Sequence, residues 1–280
     1  TMHNAHHTPH NPRPRTATSN NLRPGILRPR SRVTNIRRHY KIPQQTMASP
    51  KSDKKVAIVL CGCGVYDGSE TTEVVSALIH LSRAGVEVSA FAPNKEQMHV
   101  VNHLTGEEET SGENRNVLVE SARIARGKVK ALDECDAGDF DALVIPGGFG
   151  AAKNLSDFAS KGADLTVDST LEEIMRKFHS QGKPIGLSCI APTIAAKVFG
   201  SIGCKLTVGS DVESEKYPFA GAAGAIKSLG AHHQTCEPNE ACIDKENKIV
   251  SSSAYMYAGL PHEIDDSVRA MVEGVLSLLA

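Results

Sequence analysis

The first 50 residues of the chain contain no Asp or Glu, although they hold eight Arg and one Lys. The remaining 230 residues carry 22 basic and 32 acidic side chains, so a local charge of +9 precedes one of −10. Because hydrophobic periodicity is also missing, we predict a disordered segment over residues 1–52. An Arg-rich segment without acidic residues is typical of mitochondrial transit peptides, which predicts delivery to the mitochondrial matrix. The alternatives are a leader without that role, or translation that starts at Met47.

Three further absences narrow the function classes. No aromatic residue separates the arginines of the first segment, which argues against an RNA-binding arm, and we expect no nucleic-acid partner. No run of 18 apolar residues occurs, so we expect no membrane span. The seven cysteines are odd in number and lack the spacing of a disulfide scaffold, which predicts free thiols in a reducing compartment.

Two ligand-binding motifs are missing as well. The glycines of "GCGVYDG" (62–68) lack the G-x-G-x-x-G spacing, and the next expected strand ends in "FAPN" without an acid for a ribose. Cys61 and Cys63 form a C-x-C, but no second Cys or His pair lies at zinc spacing. We therefore expect neither a nucleotide cofactor nor a metal, and we interpret both cysteines as packing residues.

Short apolar runs alternate with helical periodicity from Lys54 onward. Strands are expected at 54–61, 86–93, 141–148, 185–189, 205–209 and 247–253, and helices at 70–85, 169–181, from Pro192 and near 264–279. This alternation predicts an α/β fold over 53–280, a doubly wound, mostly parallel sheet with helices on both faces in a single domain. Residues 152–168 form a less regular insertion, interpreted as a lid or an interface.

Cys189 lies where an expected strand meets the helix that opens at Pro192. Sites in doubly wound sheets form beyond the carboxyl ends of the strands, and a sharp strand-to-helix turn exposes a nucleophile there. Backbone amides and the helix dipole at such a turn predict a lowered pKa for the Cys189 thiol. The alternative is a buried thiol that serves only in packing, which is common for cysteine.

Two other segments reach the same edge of the expected sheet. The amides of Gly147 and Gly148 could form an oxyanion hole opposite Cys189, or simply a tight turn. Glu70 and Glu73 open the first helix at i and i+3, so either carboxylate could accept a proton from the cysteine. The alternative for both is that acidic residues favour helix N-termini.

Histidine is the missing member of a cysteine-based site, because Ile190 follows Cys189. His232 and His233 in "GAHHQ" are secondary candidates to approach the thiol, and His99 and His103 are weaker ones. Each of the four is also typical of an ordinary surface or interface histidine.

Taken together, the first-strand and acidic-helix opening, "IPGG" and "SCIAPT" resemble the ThiJ/PfpI superfamily, a branch of the class I glutamine-amidotransferase-like folds. The longer segments "CGCGVYDGSETTE", "MHVVNH", "PGGFGAAKNL" and "GLSCIAPT" look like the ElbB-like branch and its mitochondrial relatives of the ES-one type. The resemblance covers about residues 54–280. It implies a flavodoxin-like sandwich, often a homodimer or higher homo-oligomer.

The resemblance also implies roles for single residues. Cys189 takes the position of the family nucleophile and Glu73 that of the family glutamate, while Gly147 and Gly148 fall where the family's oxyanion amides lie. Members include glyoxalase-like or deglycase-like lyases and hydrolases that act on small 2-oxoaldehydes or their adducts. Others are peptidases or chaperones, or have no established activity.

Two departures from the family pattern weaken the peptidase and glutamine-amidotransfer readings. Ile190 stands where the peptidase branch has histidine, and Gly209 stands where the best-known members carry a histidine near the cysteine. The leading hypothesis is therefore thiol addition of Cys189 to a small electrophilic carbonyl, with Glu73 as proton shuttle. The alternatives are a non-catalytic redox-sensing or interaction protein and, less favoured, a glutaminase.

Overall fold

The structure, a computed structural model, describes residues 52–279 of the 280-residue chain. Residues 1–51, and with them the predicted targeting segment, lie outside the described part. The strands are β1 (Lys55–Val59), β2 (Glu87–Ala92), β3 (Val129–Ala131), β4 (Ala142–Ile145), β5 (Ile185–Ser188), β6 (Lys205–Leu206), β7 (His232–His233), β8 (Ala241–Asp244) and β9 (Ile249–Ser252). Strands β4, β5 and β9 are buried along their whole length, as expected of short apolar strands covered on both faces.

Helices follow most of these strands. They are α1 (Thr71–Arg83), α2 (Val117–Ile124), α3 (Phe149–Lys153), α4 (Phe158–Lys161), α5 (Ser169–Ser180), α6 (Pro192–Phe199), α7 (Gly221–Ser228) and α8 (Pro261–Ser277). Local sequence explains where several begin. The Asp168 carboxylate caps α5 by accepting from two backbone amides of its first turn, and Pro192 is suited to the first turn of α6 because its amide is not needed there.

Within residues 52–279, seven strands form the central sheet in the order β3-β2-β1-β4-β5-β9-β8. All neighbours are parallel except β8, which pairs antiparallel with β9. The chain leaves β1 toward β2 but leaves β4 toward β5, in the opposite direction. Right-handed crossovers therefore place α1 and α5 on opposite faces, and the carboxyl ends of β1 and β4 form a topological switch point.

This architecture confirms the predicted doubly wound α/β fold, and most expected elements are present. The expected strand at 205–209 differs, because it is shorter and pairs with β7 in a separate two-stranded sheet. Sequence patterns missed α2, β3, α7 and β8, which are short and only partly buried. Such elements are stabilised by their neighbours more than by their own periodicity.

Candidate active site

Three chain segments meet at the carboxyl edge of the sheet, as predicted. Glu73 lies in the first turn of α1, Gly147 and Gly148 lie between β4 and α3, and Cys189 follows β5 directly. The Glu70 amide donates to the Gly147 carbonyl at 3.0 Å, so the first two segments are tied by backbone. The four residues predicted as catalytic are thus brought together in one place.

Cys189 adopts a left-handed backbone conformation with φ of +60°, which is rare for a residue with a side chain. Its amide donates to the Ser252 carbonyl of β9 at 3.1 Å, which anchors this turn to the sheet. The conformation costs on the order of 1 kcal/mol and persists only where the surroundings enforce it. It turns the side chain out of the strand direction toward a cavity, and the residue remains 8% exposed.

The Glu73 carboxylate is fully buried and accepts three hydrogen bonds. Its Oε2 atom accepts from the Gly147 amide at 2.8 Å and from the Ser188 hydroxyl at 3.0 Å. Its Oε1 atom accepts from the Tyr255 amide at 3.3 Å. These donors hold the carboxylate in one orientation beside the thiol of Cys189, whose pKa its charge raises.

The two ionisable groups influence each other strongly. Burial, and secondarily the charge of Glu70, raise the pKa of Glu73 from 4.5 to about 7, although its hydrogen-bond donors act in the opposite direction. Burial, and secondarily the charge of Glu73, raise the pKa of the Cys189 thiol well above its ordinary value. The predicted lowering of this thiol pKa is therefore wrong, because removal from water disfavours the thiolate more than nearby amides favour it.

Gly147 permits the close contact between the thiol and the carboxylate. A Cβ atom at this position would overlap the Cβ of Cys189 and lie 2.9 Å from Oε2 of Glu73 and 3.0 Å from the Cys189 sulfur. Gly148 has φ of +98°, and a Cβ there would overlap the backbone of the loop before α1. Both positions therefore require glycine for packing as well as for any chemistry.

The structure also divides the predicted pair of oxyanion amides. The amide of Gly147 donates to Glu73, whereas that of Gly148 acts on the Cys189 sulfur and lowers the pKa of the thiol. The amide of Ile190 acts in the same direction, and the sequence pattern did not point to it. The two amides that favour the thiolate thus come from Gly148 and Ile190.

The secondary candidates are placed differently from one another. Glu70 lines the cavity and caps α1, since its Oε2 accepts from the Glu73 amide at 2.8 Å. His232 and His233 form β7, and the ring of His233 accepts from the Val208 amide at 3.3 Å. Among the described residues that line the cavity at Cys189 there is no histidine, so neither enters this wall of the site.

The cavity in front of Cys189 has a volume of about 680 Å³ and mostly apolar walls. Ala152, Phe158 and Ala159 belong to the segment predicted as a lid or an interface, and they contribute one wall. Its aromatic lining consists of Tyr66, Phe149, Phe158, Phe219 and Tyr255.

Sequence reasoning missed Ser188 and Tyr255 as partners of Glu73. Ser188 precedes Cys189, so its polar side chain inside an apolar strand was a usable signal. Nothing in the local pattern indicated Tyr255, which lies in the segment after β9.

Within residues 52–279, no group of three or more His, Cys, Asp or Glu side chains is arranged to hold a metal ion. No helix of the same range has the combined length and apolar character of a membrane span.

Known proteins are similar to this chain in sequence. The human glutamine amidotransferase-like class 1 domain-containing protein 3, mitochondrial, is 51% identical over 233 residues, 83% of this chain and 86% of the human protein. The ES1 protein homolog, mitochondrial, of Rattus norvegicus is 50% identical over 232 residues, 82% of this chain and 86% of its own length. These relatives confirm the predicted mitochondrial localisation.

A solved structure has a similar fold. The isoprenoid biosynthesis protein with amidotransferase-like domain from Ehrlichia chaffeensis superimposes with a TM-score of 0.72 at 36% identity, over 80% of this chain and 99% of that protein. The family model described as the DJ-1/PfpI family matches residues 54–257. With the predicted resemblance thereby confirmed, this mitochondrial chain belongs to the DJ-1/PfpI family.

Proposed function

We propose that this protein is an enzyme that converts 2-oxoaldehydes or their adducts by thiol addition at Cys189. The single observation that supports this proposal most is the position of the sulfur. It lines an apolar cavity of about 680 Å³ and at the same time lies beside a carboxylate with a pKa near 7. A general base with a pKa close to the working pH is well matched to proton transfer.

The reaction begins when the Cys189 sulfur forms a bond to the aldehyde carbon and the thiol proton passes to Glu73. The carbonyl electron pair moves to oxygen, which the Gly148 and Ile190 amides stabilise and which then takes a proton. Transfer of the carbon-bound proton to the neighbouring keto carbon, with Glu73 as shuttle, converts the adduct into a thioester of a 2-hydroxy acid. Water cleaves the thioester and restores the thiol, so the net reaction is the addition of water and needs no oxidant or reductant.

A raised thiol pKa is compatible with this route. An aldehyde is a reactive electrophile, and loss of the thiol proton to Glu73 can accompany bond formation instead of preceding it. Cleavage of a peptide or of glutamine needs a base that later protonates an amine leaving group, as histidine does in cysteine hydrolases. The described cavity wall has no histidine, which favours carbonyl addition over both hydrolytic reactions.

The decisive experiment compares two buried cysteines, Cys61 and Cys189, each of which follows a strand of the central sheet. Replacement Cys189→Ser is expected to lower turnover of methylglyoxal by roughly a thousandfold, because it removes the atom that forms the covalent adduct. Cys61→Ser is the matched control and is expected to retain turnover within a fewfold. Lactate formation is measured on purified protein, with circular dichroism to verify folding. Equal turnover by wild type and Cys189→Ser would reject the proposal.

Two other functions are distinguished by simple measurements. A redox sensor needs a cysteine that is ionised readily, and burial of Cys189 acts against this. Selective oxidation of Cys189 by mild peroxide, seen by intact mass without any aldehyde turnover, would favour the sensor. Ammonia release from glutamine would favour a glutaminase, in keeping with the amidotransferase-like names of the relatives.

A homo-oligomer and an N-terminal targeting segment over residues 1–52 remain predictions. Light scattering would test the first, and N-terminal sequencing of the mature protein would test the second.

A further inference from the structure

The cavity at Cys189 is larger and less polar than a three-carbon 2-oxoaldehyde requires. Such a molecule would fill a small part of the cavity volume of about 680 Å³, and the rest of the cavity wall would stay in contact with water. Cavities of this size normally bury most of a larger ligand, with a few polar groups at one end for orientation. Here the polar end is the sulfur with its two amide donors, and the rest of the wall is apolar.

Aromatic side chains are concentrated in this cavity. The whole chain has no Trp and only seven Phe and five Tyr, yet five of these twelve residues line the one cavity. Phe149 and Phe219 meet edge to face with ring centroids 6.3 Å apart, and they are 38% and 49% exposed. An aromatic pair that remains partly open to solvent beside a nucleophile is typical of a surface that a ligand covers.

The charges along the wall all have one sign. Glu70 and Glu213 line the cavity, while the described lining residues include no Lys, Arg or His. Lys153 lies 5.8 Å from the ring centroid of Phe149, but it donates to the Tyr66 carbonyl at 2.8 Å and is not part of the lining. A phosphate or carboxylate on the substrate would therefore meet two carboxylates and no cationic partner, which is unfavourable in a site of low polarity.

From these observations we infer that the substrates are 2-oxoaldehydes that carry an uncharged, apolar arm. This inference rests on the proposed function and specifies its substrate class. The aldehyde carbon lies at the Cys189 sulfur, and the arm extends along the rings of Phe149 and Phe219. Substrates with an anionic group at the end of the same arm are rejected by Glu70 and Glu213.

The test uses three 2-oxoaldehydes that differ only in the arm, namely methylglyoxal, 2-oxohexanal and 5,6-dioxohexanoate. Each buried methylene strengthens binding by up to about fourfold, so the three extra methylenes of 2-oxohexanal are expected to raise kcat/KM at least tenfold over methylglyoxal. The carboxylate of 5,6-dioxohexanoate is expected to abolish this gain. Equal kcat/KM values for methylglyoxal and 2-oxohexanal, or preference for the acid, would overturn the inference.

A pair of substitutions locates the effect. Phe219→Ala is expected to reduce the preference for 2-oxohexanal over methylglyoxal by roughly fivefold, because it removes part of the surface that covers the arm. Val119→Ala, at an exposed position of α2 away from the cavity lining, is expected to leave the preference unchanged. Glu213→Gln is expected to improve turnover of 5,6-dioxohexanoate severalfold, since it removes one repelling charge. An unchanged preference in Phe219→Ala would contradict this placement of the arm.

A binding measurement separates failure of this inference from failure of the proposed function. The ketone 2-hexanone has the same arm but no aldehyde, and its binding is followed by NMR titration of wild-type protein and of Phe219→Ala. If no 2-oxoaldehyde is turned over, yet 2-hexanone binds and Phe219→Ala weakens it, the proposed chemistry fails and the apolar-arm site stands. If 2-hexanone binds no better than acetone, the inference fails whatever the turnover.

Discussion

The chain places a cysteine just beyond the ends of β1 and β5, which lie on either side of β4 in the sheet, and the two turns give it different surroundings. Cys61 follows β1 with its side chain fully buried, and its sulfur lies 3.3 Å from the Ser69 hydroxyl. Cys189 follows β5 with φ of +60° and its sulfur at the wall of an open cavity. Burial raises the pKa of Cys61 to about 12, and that residue is not among those that line the cavity at Cys189.

The comparison shows that a cysteine at a strand end is not by itself a site. Both thiols are hard to ionise, so acidity does not distinguish them. What distinguishes Cys189 is a backbone turned into the left-handed region, two amides that favour its thiolate and a carboxylate beside its sulfur. A glycine beside the sulfur makes that contact possible, because any larger residue would separate the partners.

Among changes that keep both the thiol and the carboxylate, closing this space has the largest expected effect. Gly147→Ala introduces a Cβ that overlaps Cys189 and approaches Glu73, so the thiol and the carboxylate must move apart. We expect turnover to fall by about a hundredfold, as is usual for misplacement by about 1 Å, together with a lower Tm. Gly224→Ala in α7 is the control, because a Cβ there meets nothing within 4 Å. It should leave turnover unchanged and stabilise the helix by up to about 1 kcal/mol; wild-type turnover in Gly147→Ala would show that the site tolerates separation.

A smaller effect concerns the buried carboxylate that only the Cys189 turn possesses. Between its ordinary pKa of 4.5 and its folded value of about 7, Glu73 holds a proton in the folded protein but not in the unfolded chain. The folded state therefore binds more protons in this range. The contribution of Glu73 to the free energy of unfolding falls by about 3 kcal/mol as pH rises from 4.5 to 7. Glu73→Gln should lose this pH dependence in urea unfolding, whereas Glu173→Gln on the exposed surface of α5 should keep it. Identical pH slopes in wild type and Glu73→Gln would contradict the burial argument.

The smallest effect compares the buried serine of each turn. Ser188 donates to Oε2 of Glu73 at 3.0 Å, and Ser69 accepts from the Cys61 amide at 2.9 Å. Either change to Ala should lower the free energy of unfolding by about 1 kcal/mol or more, since Ser188→Ala breaks a buried hydrogen bond to Glu73 and Ser69→Ala breaks those to the amide and the sulfur of Cys61. Only Ser188→Ala should also move upward the pH at which alkylation of Cys189 is half-maximal. The charged Glu73 carboxylate accepts the thiol proton, and loss of the Ser188 donor raises the pKa of that carboxylate. Equal midpoints in the two variants would mean that Ser188 has no part in tuning Glu73.

The sequence was sufficient to predict much of the fold and the residues of the candidate site. Apolar runs such as β1 and β5 are short and continuous, and this pattern has few other structural solutions than a covered parallel sheet. Cys189, Glu73, Gly147 and Gly148 were all identified, because each stands directly after a strand or in the first turn of a helix. Short elements such as β3 and β8 were not, since three or four residues carry too little periodicity to be recognised.

Other features of the site depend on contacts between segments that are distant in sequence. The amide of Tyr255 reaches Glu73 across 182 residues, and the aromatic lining is assembled from separate loops around one cavity. The pKa of Cys189 was predicted in the wrong direction because a turn and a helix dipole are local features, whereas burial is not.

The sequence alone thus determined the fold class, the resemblance to mitochondrial proteins and the residues of the candidate site, because these depend on local pattern and motif. Only the tertiary structure decided which amides face the sulfur, how strongly the thiol and carboxylate hold their protons, and what shape and charge a substrate meets. The physical reason is that desolvation and cavity shape are properties of the space between segments, and no single segment contains that space.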